Sequence, residues 1–502
     1  MYKKYLARLP ADMANKSIFL NKQTFLLILA YFAIRFSSYL LVGHIIIESI
    51  TVFVVIMAFG TIYYKNQEWG WYILITELLL GGAGHFFEFL GLSIRTILLL
   101  IFVSLWIIET ISNSKQELFN FPKKLSYFLI VFSVFVAIAS IIGLANQHGI
   151  KPVIQDLIPY SFFVLIFPAY HILHKQCGQE YLIRLMIAFV ISSSIFALIT
   201  FILFSSGTEY LQSPFYKWFR DVAMGKITDM GSGFFRIVTP EHLLATPIVL
   251  IISSLLMKSE KHHKMWWFLL FPALLILVLN FSRIYFLSLI AGMIVLKYKH
   301  SFKRWISISA LVLSLLAIIF AGTNIIASRG SSLGFELLKG RLNSISNPTT
   351  EASSFTRMTL LEPIFEMITE HPLIGSGLGS KVTFTDPVKN IIVQTSNFDW
   401  GYLELWVELG LFGAIAFISL IFYVIYNLIK KIRCVSNYYD FYVGILAGLI
   451  SLLIMNITSP ILFHTLGVFY LVFVIVISAK HHSLLDKIVI LLYRTFHRLK
   501  KQ

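Results

Sequence analysis

Arginine side chains recur in the polar segments that separate the hydrophobic stretches of this sequence. Arg236 lies in GFFRIVTPEHLL and Arg283 in NFSRIYF, while Arg341 and Arg357 lie in the long polar interval from Gly322 to Trp400. A guanidinium group stays charged at any working pH, and its fork of N–H donors matches the oxygens of a phosphate. These arginines predict a phosphate-bearing substrate. The alternative for each is contact with lipid headgroups or a local ion pair.

Carboxyl and imidazole groups in the same segments are candidates for proton transfer. Asp399 lies in SNFDWGYLELW, where the polar interval meets the next hydrophobic stretch, so its carboxylate is placed to act as a base. The alternative is that Asp399 caps the following helix, because Asp is a preferred N-cap residue. Further acid, base or supporting candidates are Glu241, His242, His371, Tyr402, Glu404 and Glu408.

Four ionisable residues fall inside hydrophobic stretches of the N-terminal part: Arg35, Glu48, Glu77 and Arg95. A charge inside a membrane costs about 2.5–3.5 kcal/mol on insertion scales. These residues form either a path for protons or substrate, or ion pairs that hold the helices together. We favour pairing, for example of Arg35 with Glu48 or Glu77.

The elements that must position all these residues are hydrophobic helices. The chain has 502 residues, of which 57% are hydrophobic and 13% charged, and its mean hydropathy is +0.79. Apolar runs of about 20 residues recur from Thr24 to Ser478. The sequence therefore predicts an all-α, polytopic integral membrane protein with about 14 transmembrane helices.

The positive charge is arranged as in a membrane protein rather than in a nucleic-acid-binding protein. The formal net charge is +16, but most lysines lie in short loops between alternate hydrophobic stretches. Excess Lys and Arg in such loops marks the cytoplasmic side. We expect both termini in the cytoplasm, two large and partly helical loops (206–241 and 323–400) on the outer side, and no nucleic-acid partner.

Three regions are predicted along the chain. Residues 1–238 form N-terminal membrane helices that include the first large loop. Residues 239–429 carry most of the candidate residues and the second large loop. Residues 430–502 contain the last helices and a basic amphipathic tail that would lie on the inner leaflet. No group of Cys and His has metal-ligand spacing.

Three motifs in order resemble those of a known family. They are SRIYFLSLIAGMIVL at Ser282–Leu296, Arg357 followed by HPLIGSGLG at His371–Gly379, and DWGYLELWVELGLFG at Asp399–Gly413. Over about residues 239–429 the chain resembles the O-antigen polymerase and O-antigen ligase superfamily. The N-terminal stretches agree with that family only in being hydrophobic.

The resemblance implies an all-helical, GT-C-like membrane glycosyltransferase at the outer face of the inner (plasma) membrane. Such enzymes take a glycan from undecaprenyl pyrophosphate and transfer it to an acceptor hydroxyl. The expected partners are that lipid-linked donor, an acceptor glycan, membrane lipid and a chain-length regulator. No cofactor and no metal is expected.

The resemblance also implies residue roles. Arg236, Arg283 and Arg357, with Arg341 beside them, would neutralise the pyrophosphate leaving group. Ligases commonly carry His-Asn where this chain has Asp399-Trp400, so Asp399 would replace the histidine as base. This departure favours a polymerase of O-antigen, capsule or exopolysaccharide repeat units.

Two other functions remain as alternatives. A ligase would move a finished glycan onto lipid A core or another acceptor. A transporter or flippase of lipid-linked sugars would use the charged residues of the N-terminal stretches. Against a transporter stand the lack of repeat symmetry and the two large loops.

Overall fold

The structure is a computed structural model that describes residues 21–81, 86–89, 91–112, 121–173, 175–258, 264–347, 352–386, 391–434 and 439–479. The predicted basic tail at 480–502 lies outside these residues. Eighteen α-helices occur within them. The helices are α1 Lys22–Leu41, α2 Ile45–Lys65, α3 Gln67–Leu80, α4 Ile94–Ser112, α5 Lys123–Ala145, α6 Ile150–Ser161, α7 Ile166–Ile172, α8 Gln176–Ser205, α9 Pro214–Asp221, α10 Ala245–Leu256, α11 Lys264–Asn280, α12 Arg283–Leu296, α13 Phe302–Ala327, α14 Phe335–Ser346, α15 Ala352–Glu370, α16 Gly401–Cys434, α17 Tyr439–Met455 and α18 Thr465–Ala479.

Sheet structure in the described residues is limited to three antiparallel two-stranded pairs. They are β1 Glu88–Phe89 with β2 Leu92–Ser93, β3 Lys226–Asp229 with β4 Phe235–Val238, and β5 Val382–Asp386 with β6 Ile391–Thr395. Short 3-10 turns occur at Phe162–Leu165, Pro240–Leu244 and Ile461–Phe463. The predicted all-α, polytopic class is confirmed.

The helices reproduce the predicted succession of hydrophobic segments. By length and composition, eight helical segments of the described chain can cross a membrane, and five shorter apolar ones accompany them. With α3, which is 14 residues long, each predicted span is represented by a helix. Side chains within the bundle pack closely: a Cβ added to Gly444 on α17 would lie 2.8 Å from Ile251 Cα on α10. Small residues permit this approach between membrane helices.

The two large predicted loops are folded and partly helical. The first contains α9 and the β3–β4 hairpin, and the second contains α14, α15 and the β5–β6 hairpin. The second has a small hydrophobic core of its own, which also includes α16. Its buried members are Leu360, Ile364, Ile368, Val382, Phe398 and Val407. This core seats α15 and the β5–β6 hairpin on the start of α16.

The buried charges pair differently from the expectation. Arg35 on α1 forms its ion pair with Glu241, in the 3-10 turn before α10, and not with Glu48 or Glu77. Glu77 instead pairs with Arg95, with Oε2 3.3 Å from Nε. Mutual pairing is therefore found for Glu77 with Arg95, but the suggested partners of Arg35 were wrong. Periodicity within single helices could not reveal that α1 packs beside a turn some 200 residues later.

Candidate active site

The turn between α11 and α12 has an unusual backbone. Phe281 has a φ of +43°, in the left-handed region that costs a residue with a side chain about 1–3 kcal/mol. Its ring packs against Phe234 and Phe320, with centroids 5.7 and 5.2 Å away, and this aromatic packing offsets the strain. The turn therefore fixes where α12 begins, and with it the position of Arg283.

Two more arginines, from elements distant in sequence, contact the same turn. Arg236 on β4 donates from Nε to the backbone carbonyl of Asn280 at 2.6 Å. The guanidinium carbon of Arg341 on α14 lies 5.6 Å from the centroid of the Phe281 ring, within cation–π range. Like charges gathered at one place create a positive potential that favours an anion. We call Arg236, Arg283, Arg341 and Arg357 the arginine site.

Arg283 connects this turn to the second large loop. Its Nη2 donates to Ser354 Oγ on α15 at 2.6 Å. Ser354 and Arg357 are three residues apart on that helix and so share a face. Arg357 Nε lies 3.9 Å from Asp399 Oδ2, and these two side chains are 31% and 30% exposed. The fold thus links the predicted base to the predicted arginines by one chain of contacts.

Asp399 is not at the N-cap of the following helix. That helix, α16, begins at Gly401, and the carbonyl of Trp400 accepts the first helical bond from Glu404 N at 2.8 Å. Asp399 lies one residue earlier in a left-handed conformation, with a φ of +55°. Trp400 Nε1 donates to the Arg357 carbonyl at 3.0 Å. This bond holds the Asp399 segment against α15.

The glycine-rich turn after α15 fixes the distance between α15 and α16. Gly410, with φ 70° and ψ 179°, kinks α16. Leu411 N, just beyond the kink, donates to the Pro372 carbonyl at 3.0 Å. A Cβ on Gly375 would lie 2.5 Å from Gly410 N. Because no side chain fits between them, glycine at both positions lets the end of α15 contact the kink directly.

Glu404 and Glu408, candidates from the sequence, lie one turn apart on α16 near Asp156 of α6. Three carboxyl groups from two helices therefore lie close together. Asp156 Oδ2 accepts a hydrogen bond from Gly379 N at 2.7 Å. This bond fastens the glycine-rich turn to α6.

Glu241, a predicted supporting residue, lies in a separate buried cluster. Its carboxylate pairs with Arg35 and accepts a hydrogen bond from the Tyr31 hydroxyl at 3.2 Å. Both Glu241 and Arg35 are almost fully buried. The cluster joins α1 to the turn that precedes α10.

The other three supporting residues lie in three different places. The ring centroid of His242 lies 4.8 Å from that of Tyr285, in the first turn of α12. The Tyr402 hydroxyl donates to the Leu453 carbonyl at 2.8 Å and so holds α16 to α17. His371 has an exposed side chain at the end of α15. Of the three, His242 is nearest in sequence to Arg236.

Sequence reasoning missed Asn280 and Ser354. The side chain of Asn280 is 0% exposed, and neither Oδ1 nor Nδ2 has a hydrogen-bond partner among the described residues. Such an orphaned amide costs about 1–3 kcal/mol. A polar residue ending the otherwise apolar run of α11 was the available signal for Asn280. For Ser354 the signal was its helical spacing from Arg357.

Fold and site together define a polytopic helical membrane protein with three arginines at one turn and a fourth, Arg357, beside the carboxylate of Asp399. Residues 268–418 match the family model described as O-antigen ligase. The matched range contains Arg283, Arg341, Arg357 and Asp399, while Arg236 precedes it. This match confirms the resemblance to the O-antigen polymerase and ligase superfamily. No curated protein matches the chain.

The helices and the family match agree on the general role. They indicate a multi-pass inner-membrane protein with an O-antigen ligase or polymerase type of function in polysaccharide biosynthesis. Lipid-linked glycans are the substrates that this family implies.

Proposed function

We propose that this protein polymerises oligosaccharide repeat units carried on undecaprenyl pyrophosphate, at the outer face of the inner membrane. The observation that carries the proposal is the gathering of Arg236, Arg283 and Arg341 around one turn, with Asp399 joined to it through Arg357. A pyrophosphate leaving group needs concentrated positive charge, and the transfer also needs a base nearby.

The proposed reaction is a displacement at the anomeric carbon of the donor. A hydroxyl oxygen of the acceptor glycan forms the new bond to that carbon, and the bond from the carbon to the pyrophosphate oxygen breaks. The hydroxyl proton passes to the Asp399 carboxylate, and undecaprenyl pyrophosphate leaves with the bonding electron pair. The arginines stabilise the negative charge that grows on the leaving oxygen. No metal or cofactor takes part in this proposal.

The arrangement of Arg357 and Asp399 suits this chemistry. At 3.9 Å the pair is looser than a hydrogen-bonded ion pair, and both groups are partly exposed. A donor phosphate can therefore engage Arg357 while an acceptor hydroxyl reaches Asp399. Arg283 Nη2 donates to Ser354 Oγ, a neutral hydroxyl, at 2.6 Å, and this contact orients the guanidinium group beside the turn.

The choice of polymerase over ligase depends on Asp399-Trp400. The ligases of the superfamily that this chain resembles commonly carry His-Asn at these two positions. A carboxylate in place of the imidazole favours a polymerase. The second candidate remains a ligase that transfers a finished glycan to lipid A core or another acceptor, because the matching family model is described as O-antigen ligase.

Deleting the gene in its host, with analysis of the surface glycan on a gel and of the lipid-linked pool, tests this proposal. A polymerase predicts single repeat units on the surface or on the carrier. Long chains stranded on the carrier would instead identify a ligase. Repeat units trapped on the cytoplasmic side would identify a transporter and overturn the proposal. Restoration by the wild-type gene on a plasmid is the control.

A further inference from the structure

Asn280 ends α11 at the turn that Arg236 and Arg341 contact. Its backbone carbonyl holds Arg236 Nε at 2.6 Å, and Arg283 follows three residues later. The next residue, Phe281, is the strained one at φ +43°. The side chain of Asn280 has no exposed surface. Within the described part of the chain, neither its Oδ1 nor its Nδ2 finds a hydrogen-bond partner.

Such a side chain is an exception that calls for a cause. The large majority of buried polar atoms in folded proteins have a partner. A buried serine can rotate its hydroxyl toward a carbonyl of its own helix, so an orphaned serine means little. A carboxamide has two N–H donors and an acceptor oxygen in fixed directions. Its lack of partners at this place points to a ligand.

We propose that Asn280 is a further substrate-binding residue, whose amide N–H groups donate to phosphoryl oxygens of the pyrophosphate held by Arg236 and Arg283. The inference rests on the function proposed above. Because the Asn280 side chain is fully buried, the proposal requires that pyrophosphate displace the bond from Arg236 Nε to the Asn280 carbonyl and reach the amide behind it. As a neutral donor, Asn280 gives the anion a direction without adding repulsion among the arginines.

The test uses the full-length protein in lipid nanodiscs and inorganic pyrophosphate as the probe. Pyrophosphate should raise the melting temperature of the wild type, because a ligand that binds only the folded state stabilises it. Asn280→Leu removes both polar atoms at similar volume. Without probe it should melt at the wild-type temperature or higher, since an orphaned polar group is gone. Its response to pyrophosphate and its transfer activity should fall about 10–100-fold.

Two variants complete the design. Asn280→Asp keeps the shape of the side chain, loses both N–H donors and adds negative charge. Its pyrophosphate response and transfer activity should therefore fall at least as much as those of Asn280→Leu. Ser253→Ala is the control: it removes a different buried polar group, a hydroxyl on α10 that lacks a partner among the described residues. It should leave the pyrophosphate response and the activity unchanged.

The outcomes separate this inference from the proposed function. Full pyrophosphate response and full activity in Asn280→Leu would overturn the role of Asn280 alone. Loss of folded protein in both Asn280 variants would assign it a structural role and overturn it as well. If pyrophosphate does not stabilise the wild type, or stabilises Arg283→Ala equally, the arginine site itself fails as the pyrophosphate site.

Discussion

Two arginine–carboxylate pairs of this protein lie in very different surroundings. Arg35 and Glu241 are 4% and 1% exposed and in direct contact, and the Arg35 guanidinium lies 3.4 Å from the centroid of the Tyr31 ring. Arg357 and Asp399 are 31% and 30% exposed and 3.9 Å apart. Both pairs join elements distant in sequence.

The difference separates a structural pair from one available for chemistry. A desolvated pair uses its hydrogen-bonding capacity internally, and removing one partner leaves a charge stranded in a low-dielectric interior. A looser, partly exposed pair contributes little to stability. Its charges stay in reach of a substrate. The comparison predicts that variants of the first pair affect folding and that variants of the second affect transfer.

The largest effect is expected for Asp399→Asn. The amide cannot take a proton from the acceptor, so transfer should slow by about 10²–10⁴-fold, while the protein melts as the wild type does. Transfer is measured as polymer formed from purified lipid-linked repeat units. Glu336→Gln, which neutralises an exposed acid in the same loop, should leave transfer unchanged. Wild-type transfer by Asp399→Asn would remove it as the base.

Glu241→Ala should act on folding instead. It leaves Arg35 buried without its counter-charge, which costs roughly 3–5 kcal/mol. The measurement is the melting temperature in nanodiscs and the yield of inserted protein. Glu68→Ala, which breaks an exposed pair with Lys175 (33% and 58% exposed), should cost about 0–1 kcal/mol. A Glu241→Ala protein that is stable but inactive would place Glu241 in the active site. It would contradict the assignment of Arg35 and Glu241 as a structural pair.

Arg283→Ala should lower transfer by about 10²–10³-fold with the protein still inserted, because one donor to the growing negative charge is lost. Polymer on a gel and melting temperature are compared together. Arg220→Ala, which changes an arginine of the first large loop that is 55% exposed, is the matched control. Normal polymer from Arg283→Ala would exclude that arginine from the site.

The smallest effect is expected for Ser354→Ala. It removes the hydroxyl that holds Arg283 at 2.6 Å but leaves the charge in place, so transfer should fall only about 3–10-fold. Thr369→Ala, near the end of the same helix, should have no effect. A loss as large as that of Arg283→Ala would show that the orientation of Arg283 matters as much as its charge.

Much of the site could be predicted from the sequence, because the charge of arginine and aspartate follows from the residue type alone. Arg283 and Asp399 stood out as charged residues bordering hydrophobic segments, and the family motifs pointed to the same residues. Asn280 did not stand out, because an asparagine is informative only once its burial and lack of partners are known. The partner of Arg35 was equally out of reach, since it depends on which helix packs against which.

The amino-acid sequence by itself determined the class of this protein: long apolar runs can satisfy their backbone only as helices in a membrane. It also determined which side chains can bind phosphate or move a proton. The tertiary structure alone decided which charges are buried together and which meet at a reachable site. Such pairing depends on contacts between elements far apart in the chain, and the periodicity within a single helix cannot predict those contacts.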